Sequence, residues 1–249
     1  MKVAVAGATG RTGSESVAEL RDRDHDVLAL SRDPTGGQRD IGDLATVLTE
    51  TDPDALIDFT VPEATVEHAA VAAETAVPLV VGTTGFDDDG LAALADAARE
   101  IPVLRASNFA KGVHALRDIV QAGVEALPEY DIELTETHHN GKRDAPSGTA
   151  KSILEDVESV RDDLDRRVHG REGDAPREAG EIGIHARRAG DVTGEHEVLV
   201  AGNRETLELT HRAGDRGVFA EGALDAAAWL AGRDPGWYGF DDVLDAGSE

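Results

Sequence analysis

The N-terminus places an apolar run, a glycine-rich turn and a helical pattern in immediate succession. The run KVAVA at 2–6 leads into GATGRTG at 7–13, and apolar residues then recur at Val17, Ala18 and Leu20. Glycine permits a tight turn, and the N–H groups at a helix N-terminus suit a pyrophosphate. Glycine turns also join elements that bind nothing, but this GxxGxxG turn opens a βαβ unit. It therefore predicts dinucleotide binding.

The second predicted strand bears on the choice of dinucleotide. Val27–Leu30 should end near the adenine ribose, where an acidic residue selects NADH. Ser31 and Arg32 stand there instead, and a hydroxyl next to a guanidinium suits the 2′-phosphate of NADPH. The adjacent Asp33 opposes that interpretation, and Arg32 could be a plain surface residue. The sequence favours NADPH but leaves NADH open.

Strands and helices continue to alternate up to residue 108, which predicts a Rossmann-type parallel sheet. Ligands of such sheets bind at the carboxyl ends of the strands. Small, hydroxylated or amide residues follow three of the predicted strand ends, which are at 55–59, 79–81 and 103–105. The candidate ligand residues at the first two ends are Thr60, Gly82, Thr83 and Thr84, and Ser107 and Asn108 follow the third strand.

The second half has a different pattern. A long helix is predicted at 113–127, and alternating segments indicate half-exposed strands. These segments are 130–137, 181–188, 195–201 and 206–211. They predict a second α+β domain with an open mixed or antiparallel sheet.

Three parts of the chain are expected. Residues 1–108 form the dinucleotide-binding domain, 109–216 a substrate-binding and oligomerisation domain, and 217–249 a C-terminal helix that returns to the first domain. The charged segment 161–178 is interpreted as a mobile surface loop with little function.

The segment ETHHNGKRDAPSGT at 136–149 contains the candidate residues for anion binding and proton transfer. Helical spacing begins after it, so Ser147 should lie near a helix start. The N–H groups of Gly148 and Thr149, the hydroxyls of Ser147 and Thr149 and the ammonium of Lys142 can then bind a carboxylate. His138 and His139 belong to the residue type that titrates near neutrality, which suits proton delivery.

This segment allows two other interpretations. Paired histidines can bind a metal, but adjacent strand residues face opposite ways and the local pattern has no third ligand, so no metal site is predicted. The run from Ser147 to Thr149 could be a plain helix cap. Capping and anion binding use the same N–H donors, so the cap alone does not distinguish the two.

The amino-acid composition limits which partners and which cellular location are expected for this protein. The chain has 249 residues, no cysteine and a formal net charge of −26, and its lysines are only Lys2, Lys111, Lys142 and Lys151. Such a charge repels nucleic acid and anionic lipid, so neither is an expected partner. No segment approaches the roughly 20 apolar residues of a membrane-spanning helix, and the first residues are a strand rather than an export signal. We expect a cytoplasmic protein.

Two other classes of dinucleotide-dependent enzyme do not match this chain, because their catalytic residues are missing from it. Catalytic short-chain reductases need a Tyr-x-x-x-Lys pair, but Tyr130 and Tyr238 are followed at that spacing by Leu134 and Asp242. Semialdehyde dehydrogenases need a cysteine, and the chain has none. A non-catalytic dinucleotide sensor would give no reason for HHNGK beside SGT.

The chain resembles the 4-hydroxy-tetrahydrodipicolinate reductase family of the diaminopimelate and lysine pathway over nearly its whole length. The motifs that carry the resemblance are GATGRTG at 7–13, DFTVPE at 58–63, VVGTTG at 80–85, ASNFAKGV at 106–113, ETHHNGKRDAPSGTA at 136–150, RAGDVTGEHEV at 188–198 and FAEGALDAAAWLAG at 219–232. Ser31 departs from the acidic residue that often occurs there.

The resemblance implies a reductase that uses NADPH or NADH, a dicarboxylate substrate and a homotetramer joined through the second sheet. His138 would be the proton donor or acceptor and Lys142 the general acid, with His139, Lys142, Gly148 and Thr149 on the substrate carboxylates. Residues 106–109, Phe109 especially, would lie beside the nicotinamide. The other implied cofactor residues are Gly7, Thr9, Gly10, Arg11, Thr12, Phe59, Gly82, Thr83 and Thr84; Gly13 completes the turn.

The acidic composition generates a prediction about salt. With 50 acidic against 24 basic residues, self-repulsion should be removed at molar salt, where the Debye length is about 3 Å. We therefore expect the chain to be adapted to a high-salt cytosol and its melting temperature to rise in graded KCl. Thermal melting followed by circular dichroism measures this. Full stability in salt-free buffer would contradict it.

Overall fold

The chain divides into two units in the computed structural model, which describes residues 1–246. The first comprises Met1–Phe109 and the segment that begins at Arg216, and the second is Ala110–Asp215. The strands are β1 (Lys2–Ala6), β2 (Asp26–Ser31), β3 (Arg39–Asp40), β4 (Ala55–Asp58), β5 (Leu79–Val81), β6 (Pro102–Arg105), β7 (Asp131–His138), β8 (Arg166–His169), β9 (Glu181–Arg188), β10 (Glu195–Gly202), β11 (Glu205–Arg212) and β12 (Gly236–Tyr238).

The α-helices complete the element list, with one short 3-10 helix at Ile41–Asp43. They are α1 (Arg11–Asp22), α2 (Leu44–Thr51), α3 (Pro62–Glu74), α4 (Asp88–Ala97), α5 (Lys111–Ala126), α6 (Gly148–Val160), α7 (Gly217–Leu230) and α8 (Phe240–Ala246). Within residues 1–246, none of these helices combines the length and the apolar character that crossing a membrane requires.

The first unit is built on a parallel sheet with the order β12-β6-β5-β4-β1-β2-β3. Its central strands are apolar on both faces because helices cover both sides. On one face, Val3 and Val5 pack with Leu20 of α1 and Leu230 of α7. On the other face, the core residues include Leu30, Leu48, Leu56, Leu79 and Leu94, which come from strands and from α2 and α4. The carboxyl ends of β1, β4 and β5 therefore lie along one edge.

The second unit contains a five-stranded sheet with the order β11-β10-β7-β9-β8. The strands β11, β10 and β7 run antiparallel, whereas β7, β9 and β8 are parallel. One face packs against α5 and α6 through alternate residues, which are Ile132, Leu134, Ile182, Ile184, Val198 and Val200. The predicted fold class, a Rossmann-type domain followed by a second domain with an open mixed sheet, is confirmed.

The prediction of a surface loop at 161–178 is wrong in part, because this segment contains β8 at the edge of the second sheet. Ion pairs hold it there. Arg166 and Arg171 bond to Glu181, at 2.6 and 2.8 Å, and Glu181 is buried. Arg161 is only 5% exposed and donates to the carbonyl oxygen of Tyr130 at 3.2 Å. Charged contacts rather than an apolar face anchor this segment. Its sequence therefore shows no apolar periodicity.

Candidate active site

Two glycines of the turn after β1 leave no room for a Cβ. Gly7 has φ of +79°, and a Cβ added to it would lie 2.6 Å from the carbonyl oxygen of Phe59. A Cβ on Gly13 would lie 2.2 Å from the carbonyl oxygen of Gly7. The helix α1 begins at Arg11 with no acidic residue in its first turn. Bare backbone and a helix N-terminus without nearby anions fit the pyrophosphate of a dinucleotide.

The end of β2 lies beside this turn. The hydroxyl of Ser31 is 3.3 Å from the hydroxyl of Thr9 and accepts the N–H of Asp33 at 3.3 Å. Ser31 is 5% exposed, whereas the Arg32 side chain is exposed. The structure thus brings two of the predicted cofactor residues into contact and leaves Arg32 accessible.

A buried carboxylate organises the carboxyl ends of β4 and β5. Asp58 is fully buried, and its Oδ1 accepts the N–H of Thr60 at 2.9 Å and the hydroxyl of Thr60 at 2.6 Å. The hydroxyls of Thr65 and Thr83 reach the same oxygen at 3.0 and 3.2 Å. The other oxygen, Oδ2, lies 2.6 Å from Nδ1 of His68. Asp58 therefore fixes Thr60 and Thr83, two predicted ligand residues.

Aromatic packing occupies the neighbouring positions. A Cβ on Gly82 would lie 2.1 Å from the ring of Phe59, so only glycine leaves room for this ring. Phe59 contacts Phe109 edge to face at 6.0 Å, and Phe109 contacts Phe240 at 5.4 Å. Phe109 is 2% exposed, so its side chain has a packing role in this structure. Of the remaining candidates, Thr84 and Ser107 are exposed and Asn108 is half-buried.

In the second unit, the core-facing row of the sheet changes from apolar to polar at one end. Glu136 and His138 continue the inward row of β7. His196 on β10 lies opposite Glu136, and Arg188 on β9 pairs with His138. The preceding positions of the same rows are apolar, and they are Ile132, Leu134, Ile182, Ile184, Val198 and Val200. The core therefore ends in a cluster of ionisable side chains.

Glu136 is fully buried at the centre of this cluster. Its Oε1 accepts the Nη2–H of Arg188 at 2.8 Å and the N–H of Ser147 at 3.2 Å. Its Oε2 accepts the Nη1–H of Arg188 at 3.0 Å and bonds to Nδ1 of His138. Burial alone would raise the pKa of Glu136, but the bonds from His138 and Arg188 lower the pKa to about 2. The carboxylate is ionised near neutrality.

Ser147 caps α6 and contacts a second buried histidine. Its hydroxyl accepts the N–H of Ala150 at 3.2 Å and lies 3.1 Å from Nε2 of His196. Burial and the nearby His138 lower the pKa of His196 to about 3, so its ring is neutral. Nδ1 of His196 has no partner. A proton on Nδ1 would be a buried N–H without an acceptor, which costs about 1–3 kcal/mol. The proton is therefore favoured on Nε2.

This tautomer directs the Ser147 hydroxyl. With bonds accepted from Ala150 and from Nε2 of His196, the hydroxyl has its own proton left to donate to a ligand. Gly148 is the first residue of α6, where N–H groups have no partner within the helix. The start of α6 thus has donors of the kind that bind an anion.

The loop between β7 and α6 holds the lysine. The ammonium of Lys142 lies 2.9 Å from Oδ1 of Asp144, and the N–H of Lys142 donates to the carbonyl oxygen of His139 at 3.1 Å. Burial would raise the pKa of Asp144, but the bond from Lys142 lowers it. Lys142 is partly exposed, so its ammonium is accessible to a ligand carboxylate while it is paired with Asp144.

Two family models match consecutive parts of the chain. The model described as the N-terminus of dihydrodipicolinate reductase covers residues 1–109, and that of the C-terminus covers residues 112–244. The chain belongs to the dihydrodipicolinate reductase family. The expected resemblance and enzyme class, a reductase of the diaminopimelate and lysine pathway, are confirmed, and NAD(P)H is the coenzyme type of this family.

Named relatives agree with the family. A 4-hydroxy-tetrahydrodipicolinate reductase of Natronomonas pharaonis is 60% identical, over 98% of this chain and 100% of that protein. One of Haloarcula marismortui is 52% identical, over 98% and 99%. Both relatives come from halophiles. A dipicolinate-bound dihydrodipicolinate reductase of Paenisporosarcina sp. TG-14 has the same fold, with a TM-score of 0.76, 24% identity and coverage of 98% and 99%.

Several polar residues of the two clusters were not predicted from the sequence. They are Asp58, Thr65, His68, Glu136, Arg188 and His196. A signal was present for the β7 cluster, because Glu136 and His196 occupy core-facing positions in alternating strands. Among residues 1–246, no three histidine, cysteine or acidic side chains converge as a metal ion requires.

The Asp58 cluster generates a test. In Asp58→Asn the amide keeps one acceptor oxygen but places an NH₂ group against donors, so the free energy of unfolding should fall by about 2 kcal/mol. Displacement of Thr60 and Thr83 should weaken NAD(P)H binding about tenfold. Fluorescence titration in molar KCl measures affinity. Asp54→Asn is the control, since Asp54 is exposed and accepts one bond, from the N–H of Lys2 at 2.7 Å. Unchanged NAD(P)H affinity in Asp58→Asn would remove its organising role.

Proposed function

We propose that the chain reduces 4-hydroxy-2,3,4,5-tetrahydrodipicolinate to tetrahydrodipicolinate with NAD(P)H. The observation that carries the proposal is the polar cluster at the end of β7. It combines a histidine held by a buried carboxylate, a lysine and the donor-rich start of α6. A ring with two carboxylates and a site of protonation requires these groups. Relatives at 60% and 52% identity bear the name of this reaction.

We assign NAD(P)H binding to the first unit. The phosphates would be held by the turn at 7–13, and the end of β2 with Ser31 and Arg32 would hold the ribose side. The nicotinamide side would meet Phe59, Thr60, the segment 82–84 and the segment 107–109. The coenzyme, when bound, supplies the hydride that adds to C4 of the unsaturated ring formed by loss of water.

We assign substrate binding and protonation to the second unit. Lys142, Ser147, Gly148, Thr149 and His139 would bind the carboxylates, which neutralises charge and orients the ring. His138 would deliver a proton from Nε2 to the carbon next to C4, because Nδ1 is engaged by Glu136. Lys142 would act as the general acid. The protein thus contributes anion binding, orientation and a proton.

We further propose that the enzyme is a cytoplasmic homotetramer joined through the second sheet. One face of that sheet packs on α5 and α6, while β11 at its edge has mostly exposed residues. The exposed residues of β11 are available to a second copy of the chain.

A coupled assay that generates the substrate in situ tests the function at low and molar salt. His138→Gln should lower kcat about 100-fold with little change in the KM for NAD(P)H. Lys142→Ala should lower kcat and raise the substrate KM, because Lys142 has both roles. Lys151→Ala is the matched control, since Lys151 is exposed on α6. No oxidation of either coenzyme by the parent protein would overturn the proposal, and normal turnover in a variant would remove the role of that residue.

The same assay addresses coenzyme choice. We propose NADPH as the preferred coenzyme, with Arg32 on the 2′-phosphate. Arg32→Ala should then raise the KM for NADPH about tenfold and leave the KM for NADH unchanged, because a charge-assisted bond is lost with one coenzyme only. Arg21→Ala provides an exposed arginine control, because Arg21 lies in the last turn of α1, at the end away from the glycine turn. Equal effects on both coenzymes would refute the phosphate contact.

A further inference from the structure

Glu136 lies where one carboxylate can control both the proton donor and the anion-binding turn. It is fully buried, and all four of its bonds come from donors. Arg188 contributes two of them, which is the bidentate geometry that fixes a carboxylate in one plane. Arg188 also donates to the carbonyl oxygen of Asp144 at 2.6 Å, so the guanidinium itself is anchored to the loop that contains Lys142.

The ionised carboxylate dictates which nitrogen of His138 carries the proton. A carboxylate accepts hydrogen bonds and cannot donate them, so Nδ1 of His138 must be the N–H. Nε2 is then the nitrogen that gains and loses a proton. It faces Gly194, whose added Cβ would lie 3.2 Å from it, so a side chain at that position would crowd Nε2.

We infer that Glu136 is a positioning residue for His138: it fixes the Nδ1–H tautomer and presents Nε2 for proton transfer, and Arg188 holds Glu136 in place. This inference rests on the proposed function. It adds a residue that touches neither substrate nor coenzyme and acts through His138. Through the N–H of Ser147, the same carboxylate also sets the start of α6 relative to His138.

Glutamine at position 136 cannot reproduce this arrangement. Four donors converge on the two oxygens of Glu136, whereas an amide has one acceptor oxygen and an NH₂ group. One orientation of the amide faces Nδ1 of His138 with a donor and selects the Nε2–H tautomer. The other orientation faces the N–H of Ser147 with a donor, and both orientations face Arg188 with a donor, because Arg188 donates to both oxygens. Both orientations disturb the histidine or the arginine that holds the carboxylate.

The same strand offers a matched control. Glu133 lies on the opposite face of β7 and is bonded by His185 Nε2 at 2.7 Å and Arg177 Nη1 at 2.6 Å. Its partners are of the same types as those of Glu136, but no proposed substrate residue contacts it. Glu133→Gln therefore reports the effect of losing a carboxylate that binds histidine and arginine without touching the polar cluster.

The first experiment reads the tautomer directly. The full chain is labelled with ¹⁵N-histidine, the signals of His138 are identified by their loss in His138→Gln, and the neutral ring is observed in molar KCl. We expect Nδ1–H in the parent protein and in Glu133→Gln, and a shift towards Nε2–H in Glu136→Gln. An Nε2–H ring in the parent protein would overturn the inference even if no variant folded. This readout needs no turnover, so its failure is distinct from failure of the proposed function.

The second experiment is a double-mutant cycle in kcat, with thermal melting and light scattering used to check that each variant keeps its fold and assembly. Glu136→Gln should lower kcat about 100-fold, and Glu133→Gln less than about twofold. Because Glu136 acts through His138, adding Glu136→Gln to His138→Gln should cost less than about threefold more. A second full 100-fold loss would show independent action, and an unchanged kcat in Glu136→Gln would show no role. Either result contradicts the inference.

Discussion

The buried pair of Glu136 and Arg188 is the interaction on which the second unit's site depends. Removing two ions from water costs several kcal/mol each, and only good geometry with full hydrogen bonding offsets that cost. Here both carboxylate oxygens are fully used, by Arg188, His138 and Ser147. The pair joins the ends of β7 and β9 to the start of α6. Two strands and a helix are therefore held together by one charge.

Both units use a carboxylate at the end of a buried strand. Asp58 ends β4 and holds Thr60 and Thr83, and Glu136 near the end of β7 holds His138 and Ser147. In each case an apolar row of the sheet provides a rigid base. The carboxylate at the end of that row accepts hydrogen bonds from several donors and so fixes their positions. Because an unpaired buried charge is costly, neighbouring side chains are restricted to the geometry that satisfies it.

Local patterns in the sequence were sufficient for the fold class and for the local geometry of two proposed site segments. The turn at 7–13 and the helix cap at Ser147 depend on adjacent residues, so spacing alone reveals them. The partners of Glu136 were not predictable in this way, because Arg188 and His196 reach it only through the pairing of β7 with β9 and β10. The strand β8 was missed for a related reason: its anchors are ion pairs between arginines and Glu181, which leave no periodic apolar signal.

The net charge of −26 also constrains how the proposed dicarboxylate is recognised. A protein with this charge repels anions at long range, but at molar salt the Debye length is about 3 Å and that repulsion is screened. Attraction by distant cations is screened as well. Recognition must then come from groups in direct contact with the substrate, which is the role proposed above for Lys142 and the donors at the start of α6. A composition poor in lysine can thus bind a dianion, provided that its few lysines are held in place, as Asp144 holds Lys142 here.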